Sequence, residues 1–200
     1  MGGGVGKVFR WVATTVVALA LGAGSAAALI NFGGAFDARI VNGAWETGRH
    51  TGSASADPYS RARGAIYGLW GLPPSEVVYY TALQDDTGQP LQRSCSYQVS
   101  GGALPARWWS VTLYRDYFLI ENPARRYSWS STTIDVAPAG NWRIDVNAAG
   151  EGDNALPMGE RDGVFALSLR LYQPLPQVLD NRATIELPAI HRGACQGSSS

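Results

Sequence analysis

The sequence predicts a mainly β protein: an antiparallel β-sandwich with one helix packed on it, preceded by a single transmembrane helix. Three observations support this prediction. Residues 11–30 contain no charged side chain, the segments after Glu76 alternate apolar and polar residues, and turns rich in Gly and Pro separate those segments. Short strands joined by such turns, with one helix ahead of them, are typical of a sandwich.

The uncharged segment comes first in the chain. As a helix, its twenty residues reach about 30 Å, the thickness of a bilayer's hydrocarbon core. Lys7 and Arg10 precede it and the next charge is Asp37, so the positive-inside rule predicts a cytoplasmic N-terminus over residues 1–10. The bulk of the chain is then periplasmic and the anchor lies in a bacterial inner membrane. A cleavable signal peptide is the alternative, because Ala26–Ala28 fit the A-x-A cleavage rule.

Residues 31–56 are rich in Gly, Ala, Ser and Asn and predict a stalk, in which Trp45 indicates that a part docks on the domain. Asp57 and Pro58 then form a helix start, an N-cap followed by Pro at the first helical position. Apolar residues recur at helical spacing up to Trp70, which predicts a helix of about fourteen residues whose apolar stripe packs on a sheet.

Strand patterns follow from residue 76 onward. The predicted strand segments are 77–83, 95–99, 109–113, 134–136, 142–146 and 165–171. In the strand after Asn141, Trp142, Ile144 and Val146 face inward, while Arg143 and Asp145 face outward. We therefore expect one periplasmic domain over residues 57–195 and a disordered tail over 196–200.

Composition limits the chemistry. After the anchor there are fourteen arginines against sixteen acidic residues, which gives no basic surface for nucleic acid. Lys7 is the only lysine, which excludes Schiff-base chemistry from the exported part. Cys95 and Cys195 are the only cysteines, and in an oxidising compartment an isolated pair of this kind predicts a disulfide.

No residue set predicts a catalytic or metal centre. His50 and His191 are the only histidines and no metal-ligand spacing joins them, so we expect no metal, no cofactor and no assigned catalytic residue. Asp153, Glu160 and Asp162 lie in a long Gly-rich loop. They are candidates for paired carboxylates in glycoside hydrolysis, and the alternative interpretation is a solvated acidic loop.

Aromatic side chains give the best candidate site. The strand phase places Trp108, Tyr114 and Tyr172 on the side opposite the inward Trp109. The candidate face comprises these three together with Arg107, Tyr127 and Arg170. Flat apolar area beside directed hydrogen-bonding groups suits a sugar or a protein partner. The alternative is that the helix over residues 57–70 buries this face as core.

Several segments together resemble a known family, the domain of unknown function family 1214. They are 106–114 (Ala-Arg-Trp-Trp-Ser-Val-Thr-Leu-Tyr), Asn122-Pro123, 126–128 (Arg-Tyr-Ser) and 165–172 (Phe-Ala-Leu-Ser-Leu-Arg-Leu-Tyr) with Pro174. The resemblance covers roughly residues 57–190 and implies a jelly-roll-like sandwich without an agreed activity. Longer members carry a second domain, of the unknown-function family 1254, which suggests a separate partner of that type.

The leading hypothesis is therefore a single-pass membrane protein whose sandwich is a non-catalytic interaction module of the cell envelope. The alternative is an envelope carbohydrate-binding protein or hydrolase that uses the aromatic face and the loop carboxylates.

Overall fold

A computed structural model describes residues 3–32, 39–53, 55–66 and 71–196 of the chain. Its helices are α1 (Gly3–Phe32), α2 (Pro58–Ile66) and α3 (Pro176–Asp180). Its strands are β1 (Arg39–Asn42), β2 (Trp45–Gly48), β3 (Val77–Ala82), β4 (Cys95–Gly101), β5 (Ala106–Arg115), β6 (Phe118–Leu119), β7 (Ser128–Ser130), β8 (Trp142–Asn147), β9 (Leu156–Pro157), β10 (Ala166–Pro174) and β11 (Ala189–Cys195).

Two sheets form the predicted sandwich. The larger has seven strands in the order β1-β2-β3-β10-β5-β6, with β7 also paired to β5, and the smaller has the order β11-β4-β8-β9. Pairing is antiparallel except between β8 and β9, which are parallel. The mainly β, antiparallel fold class predicted from the alternation is confirmed.

The core lies between the sheets because each strand turns alternate side chains inward. From the larger sheet it receives Tyr80, Val111, Leu113, Leu167, Leu169 and Leu171, and from the smaller sheet Tyr97, Val99, Trp142, Ile144, Val146 and Ile190, all buried. Trp109 of β5 stacks on Trp142 of β8 with ring centroids 4.6 Å apart. This contact joins the two sheets, and the predicted inward phase of Trp109 and Trp142 is confirmed.

The N-terminal helix α1 matches the predicted apolar segment. Its residues 6–30 are long and apolar enough to cross a membrane by length and composition, a test that a signal sequence near the N-terminus also passes. The apolar window of this helix is not buried inside the rest of the chain.

The predicted stalk over residues 31–56 is wrong for residues 39–48, which form the β1–β2 hairpin at one edge of the larger sheet. The physical reason is Trp45, which is 1% exposed and whose indole nitrogen donates to the carbonyl of Pro188 at 2.7 Å. The domain therefore includes this hairpin. Residues 33–38 lie outside the described residues.

The helix α2 begins where the sequence predicts. Asp57 caps it, because its carboxylate accepts from the backbone N–H groups of Tyr59 and Ser60 at 2.9 and 3.1 Å. Its principal contacts are with α1, whereas the sequence led us to expect packing on a sheet. The last predicted turn, residues 67–70, lies outside the described residues.

The long loop after β8 is not structureless. It contains β9, and Asn154, Leu156 and Met158 are buried beside the smaller sheet. Asn154 donates from its side-chain amide to the carbonyls of Asp135 and Arg143 at 3.0 and 2.8 Å. These bonds satisfy polar groups that the loop would otherwise bury without partners.

Candidate aromatic face and end groove

The pairing of β5 with β10 brings four of the six predicted face residues together. In this register Trp108 lies opposite Tyr172, and Arg170 lies opposite Ser110. Residues directly opposite on neighbouring strands point to the same side. Trp108, Tyr114, Arg170 and Tyr172 therefore share the outer face of the larger sheet, and we call these four residues the aromatic face.

The aromatic face is held by contacts among its own members. Trp108 meets Tyr172 edge to face at 4.9 Å between ring centroids, and Arg170 donates to the Tyr114 hydroxyl at 2.5 Å while lying 5.4 Å from that ring's centroid. The Trp108 indole nitrogen also donates to the Thr132 hydroxyl at 3.2 Å. These side chains are half-buried, so each presents part of its surface to solvent in a fixed orientation.

At one end of this face lies an open groove of about 310 Å³, which we call the end groove. It is lined by Leu72, Glu76, Val77, Arg107, Trp108, Tyr172 and Gln173. Arg107 is exposed and donates to the side-chain oxygen of Gln173 at 2.9 Å. Gln173 has a left-handed backbone, φ 46°, and its N–H donates to the carbonyl of Glu76 at 2.7 Å. A left-handed backbone at a non-glycine residue within a strand is strained, and the surrounding hydrogen bonds must stabilise it.

Tyr127 is not brought to the aromatic face. It directly precedes β7, in which Ser128 and Ser130 lie opposite Thr112 and Ser110. Strand alternation places Tyr127 on the other side, and its carbonyl accepts from the N–H of Leu113, an inward residue.

The candidate carboxylates lie away from the aromatic face. Asp153 pairs with Arg143, an outward residue of β8 in the smaller sheet, and its backbone N–H donates to Asp145 at 2.8 Å. The core separates this surface from Trp108, and stacked sheets lie about 10 Å apart.

Asp162 and Glu160 lie towards the far end of β5. Asp162 pairs with Arg93 at 3.0 Å, and Arg161, between the two acids, pairs with Asp116 at 3.0 Å. Asp116 follows β5 directly, eight residues from Trp108, which is about 26 Å along an extended strand. Neither Asp153 nor these two acids completes a paired-carboxylate site beside Trp108.

The predicted disulfide is confirmed, and it belongs to a cluster that the sequence did not reveal. Cys95 of β4 is bonded to Cys195 of β11. Arg192 of β11 donates to the buried carboxylate of Asp85 at 2.5 Å and to the carbonyl of Pro90 at 2.7 Å. Asp85 also holds the turn after it, since its other oxygen accepts from Thr87 and Gln89.

The same bonds set the pKa of Asp85. Burial acts to raise it, but the hydrogen bonds from Thr87, Arg192 and Gln89 stabilise the carboxylate and lower the pKa to about 2. The sequence spacing of Asp85, Cys95 and Arg192 does not predict that these residues are in contact, because 107 residues separate Asp85 from Arg192.

Fold and face together define a β-sandwich module whose outer sheet surface carries a fixed aromatic and arginine patch. A family model described as a protein of unknown function, DUF1214, matches residues 76–176, and the chain belongs to this family. The match covers β3 to the start of α3, including β5 and β10, on which the aromatic face lies.

A solved structure shares the fold, and a second is a weaker match. A crystal structure of the VPA0106 protein from Vibrio parahaemolyticus matches with a TM-score of 0.59 and 24% identity, over 73% of this chain and 39% of that chain. An uncharacterised protein from Burkholderia cenocepacia matches with a TM-score of 0.37 and 19% identity, over 62% of this chain and 31% of that chain. This chain thus spans about two fifths of the length of the Vibrio protein or less than a third of the Burkholderia protein. No curated protein matches it.

Proposed function

We propose that this protein is a single-pass inner-membrane protein whose periplasmic sandwich is a non-catalytic interaction module of the cell envelope. In this proposal α1 is the retained anchor with Lys7 and Arg10 on the cytoplasmic side. The length and hydropathy of residues 6–30 support the anchor.

The observation that carries the proposal is the aromatic face. Tyr, Trp and Arg are the residues that dominate binding energy at protein interfaces, especially where they are held in place before binding. Here Trp108, Tyr172 and Arg170 are partly exposed and already fixed by contacts within the face. These side chains would therefore lose little conformational entropy when a partner binds to them.

A separate protein of the unknown-function 1254 type is the partner that we propose. The matched Vibrio protein is much longer than this chain, and the match covers 39% of the Vibrio protein's length. A fold that forms part of a longer chain in the Vibrio protein fits a module that packs against a neighbouring domain.

The test begins with full-length, tagged protein purified in mild detergent, with any stoichiometric partner identified by mass spectrometry. Affinity is then measured for the purified pair with Trp108→Ala, Arg107→Ala and the matched control Arg161→Ala. Arg161 is exposed and lies at the other end of β5, where it pairs with Asp116.

We expect Trp108→Ala to weaken binding by at least tenfold, which corresponds to about 1.4 kcal/mol, and Arg161→Ala to leave it unchanged. Full affinity in both Trp108→Ala and Arg107→Ala would refute the placement of the interface. A protein that purifies alone and monomeric would refute a stable partner.

Carbohydrate binding is the second candidate, because one observation favours it. The end groove combines the ring surfaces of Trp108 and Tyr172 with the polar groups of Glu76, Arg107 and Gln173. Its volume is at the lower limit of ordinary ligand sites. A thermal-shift screen against envelope glycans tests this candidate: a stabilisation that Trp108→Ala removes supports it, and no shift with any glycan counts against it.

A further inference from the structure

The disulfide lies at a second groove, remote from the aromatic face. This disulfide groove has a volume of about 530 Å³, and its lining includes both cysteines, Arg93, Ser96 and residues of the loop after β8. Cys95 is 2% exposed, whereas Cys195 is half-buried. A molecule in the groove therefore reaches the sulfur of Cys195 more readily than that of Cys95.

A guanidinium group lies against the same disulfide, nearer to one sulfur than to the other. Nη1 of Arg192 is 3.3 Å from Sγ of Cys95 and 4.0 Å from Sγ of Cys195. The side-chain amide of Gln92 also points at Cys95 Sγ, at 3.6 Å. Arg192 is held there by its bonds to Asp85 and Pro90.

These positions match what thiol–disulfide exchange requires. The sulfur that is attacked must be accessible, and the reaction is faster when the departing thiolate is stabilised, as it is beside an arginine. Cys195 meets the first condition. Cys95, next to Arg192, meets the second.

We propose that Cys95–Cys195 is a thiol–disulfide exchange site, in which a dithiol reductant enters the disulfide groove and attacks Cys195. Its thiolate forms a bond to Cys195 Sγ, the bond between the two cysteines breaks, and the electron pair stays on Cys95 as a thiolate beside Arg192. The second thiol of the reductant then attacks the mixed disulfide and releases Cys195. The two cysteine thiolates take up the two protons that the reductant's thiols lose. The protein is thereby reduced by two electrons to a dithiol, and the reductant is oxidised to a disulfide.

The consequence for the fold is local. Cys195 ends β11, whose pairing with β4 shifts register between Arg192 and Cys195. Opening the disulfide removes the covalent tie at this irregular end, while the bonds of Arg192 to Asp85 and Pro90 still hold the middle of the strand. Exchange would therefore loosen the rim of the groove and leave the core in place.

Reduction kinetics test the proposal, with dithiothreitol as the dithiol probe and the full-length protein in mild detergent. The variants are Arg192→Gln, which removes the charge, and Arg192→Lys, which keeps it. Asp85→Asn is the matched control, because it breaks the same ion pair but leaves the guanidinium in the chain.

The two possible roles of Arg192 predict opposite changes in the rate at which the disulfide is reduced. If it stabilises the departing Cys95 thiolate, reduction of Arg192→Gln is slower than wild type, by roughly tenfold, while Arg192→Lys keeps most of the rate. If it only holds the fold together, Arg192→Gln loosens the strand and reduction is as fast or faster, as in Asp85→Asn. A rate in Arg192→Gln that equals or exceeds the wild-type rate overturns the proposal.

The attacked sulfur is identified separately. Brief treatment with glutathione followed by acid quenching and peptide mass spectrometry locates the mixed disulfide. We expect the adduct on Cys195. An adduct mainly on Cys95, or no reduction by dithiothreitol until the protein is unfolded, contradicts the proposed site.

Discussion

Replacing Asp85 with asparagine removes one buried negative charge while keeping the size and shape of the side chain. Asparagine still offers a carbonyl oxygen to the N–H groups of Thr87 and Gln89, which Asp85 binds at 2.9 and 3.1 Å. The charge-assisted bond to Arg192 at 2.5 Å is lost. The variant therefore isolates the contribution of the ion pair from that of the turn.

The magnitude follows from the pKa of Asp85. Burial opposes the charge, but bonds from Thr87 and Arg192 outweigh it and lower the pKa from 3.8 to about 2. Each unit of difference between folded and unfolded chains corresponds to about 1.4 kcal/mol, so the carboxylate contributes about 2 kcal/mol to stability at neutral pH. Because the folded pKa is depressed, this contribution is complete above about pH 5, is reduced to roughly half near pH 3 and disappears as the pH falls through the folded pKa.

The assay is urea unfolding of full-length wild type and Asp85→Asn in mild detergent, followed by the fluorescence of the seven tryptophans. We expect the variant to be less stable by about 2 kcal/mol at pH 7 and the difference to shrink to roughly half at pH 3. A difference that stays constant from pH 7 to pH 3, or no difference at pH 7, would refute the reasoning from the charge.

Three further predictions concern stability and use the same unfolding assay. Trp45→Phe leaves the carbonyl of Pro188 without its 2.7 Å bond inside the protein and should cost about 1–3 kcal/mol, whereas an unchanged midpoint would show that the β1–β2 hairpin does not depend on this bond. Leu169→Ala opens a cavity between the sheets at a fully buried position and should cost about 2–5 kcal/mol; a smaller loss would place this residue outside the tight core. Replacing both Cys95 and Cys195 by alanine removes a link between residues 100 apart and should cost about 2–5 kcal/mol at pH 7, and equal stability with and without the link would contradict a stabilising role.

The central strands were predictable because their signal is local. In β10 the inward Leu167, Leu169 and Leu171 alternate with outward residues, and a period of two needs no knowledge of the partner strand. The same phase predicted that Trp108 and Tyr172 leave the core. Their contact depends on the register in which β5 pairs with β10, and that register could not be predicted from either strand alone.

The edge elements were not predictable, because distant contacts hold them. β1 has four residues of weak burial contrast, and its hairpin is fixed by Trp45, whose bond partner is 143 residues away. β11 contains His191, Arg192 and Gly193, which do not form a strand pattern, and it is positioned by the disulfide and by Arg192. Local propensity is a weak guide where such long-range bonds dominate.

The candidate site shows the same division. Alternation within β5 and β10 was enough to place Trp108, Tyr114, Arg170 and Tyr172 on the outer face. Tyr127 was assigned to the wrong side, because its phase is set by the pairing of β7 with β5. The end groove could not be predicted in the same way. It is lined by Glu76, Arg107 and Gln173, which come together only in the folded chain, and Gln173 has a left-handed backbone. A short polar stretch at a strand end carries no pattern that would reveal such a groove.

The most direct test of the interaction module is site-specific photo-crosslinking in the intact cell envelope. A photoreactive amino acid replaces Arg107, at the rim of the end groove, or Arg161, the exposed control at the far end of β5. The account predicts one discrete heavier product from position 107, containing a second protein, and none from position 161. Equal products from both positions, or none from position 107 while a partner still co-purifies, would contradict it.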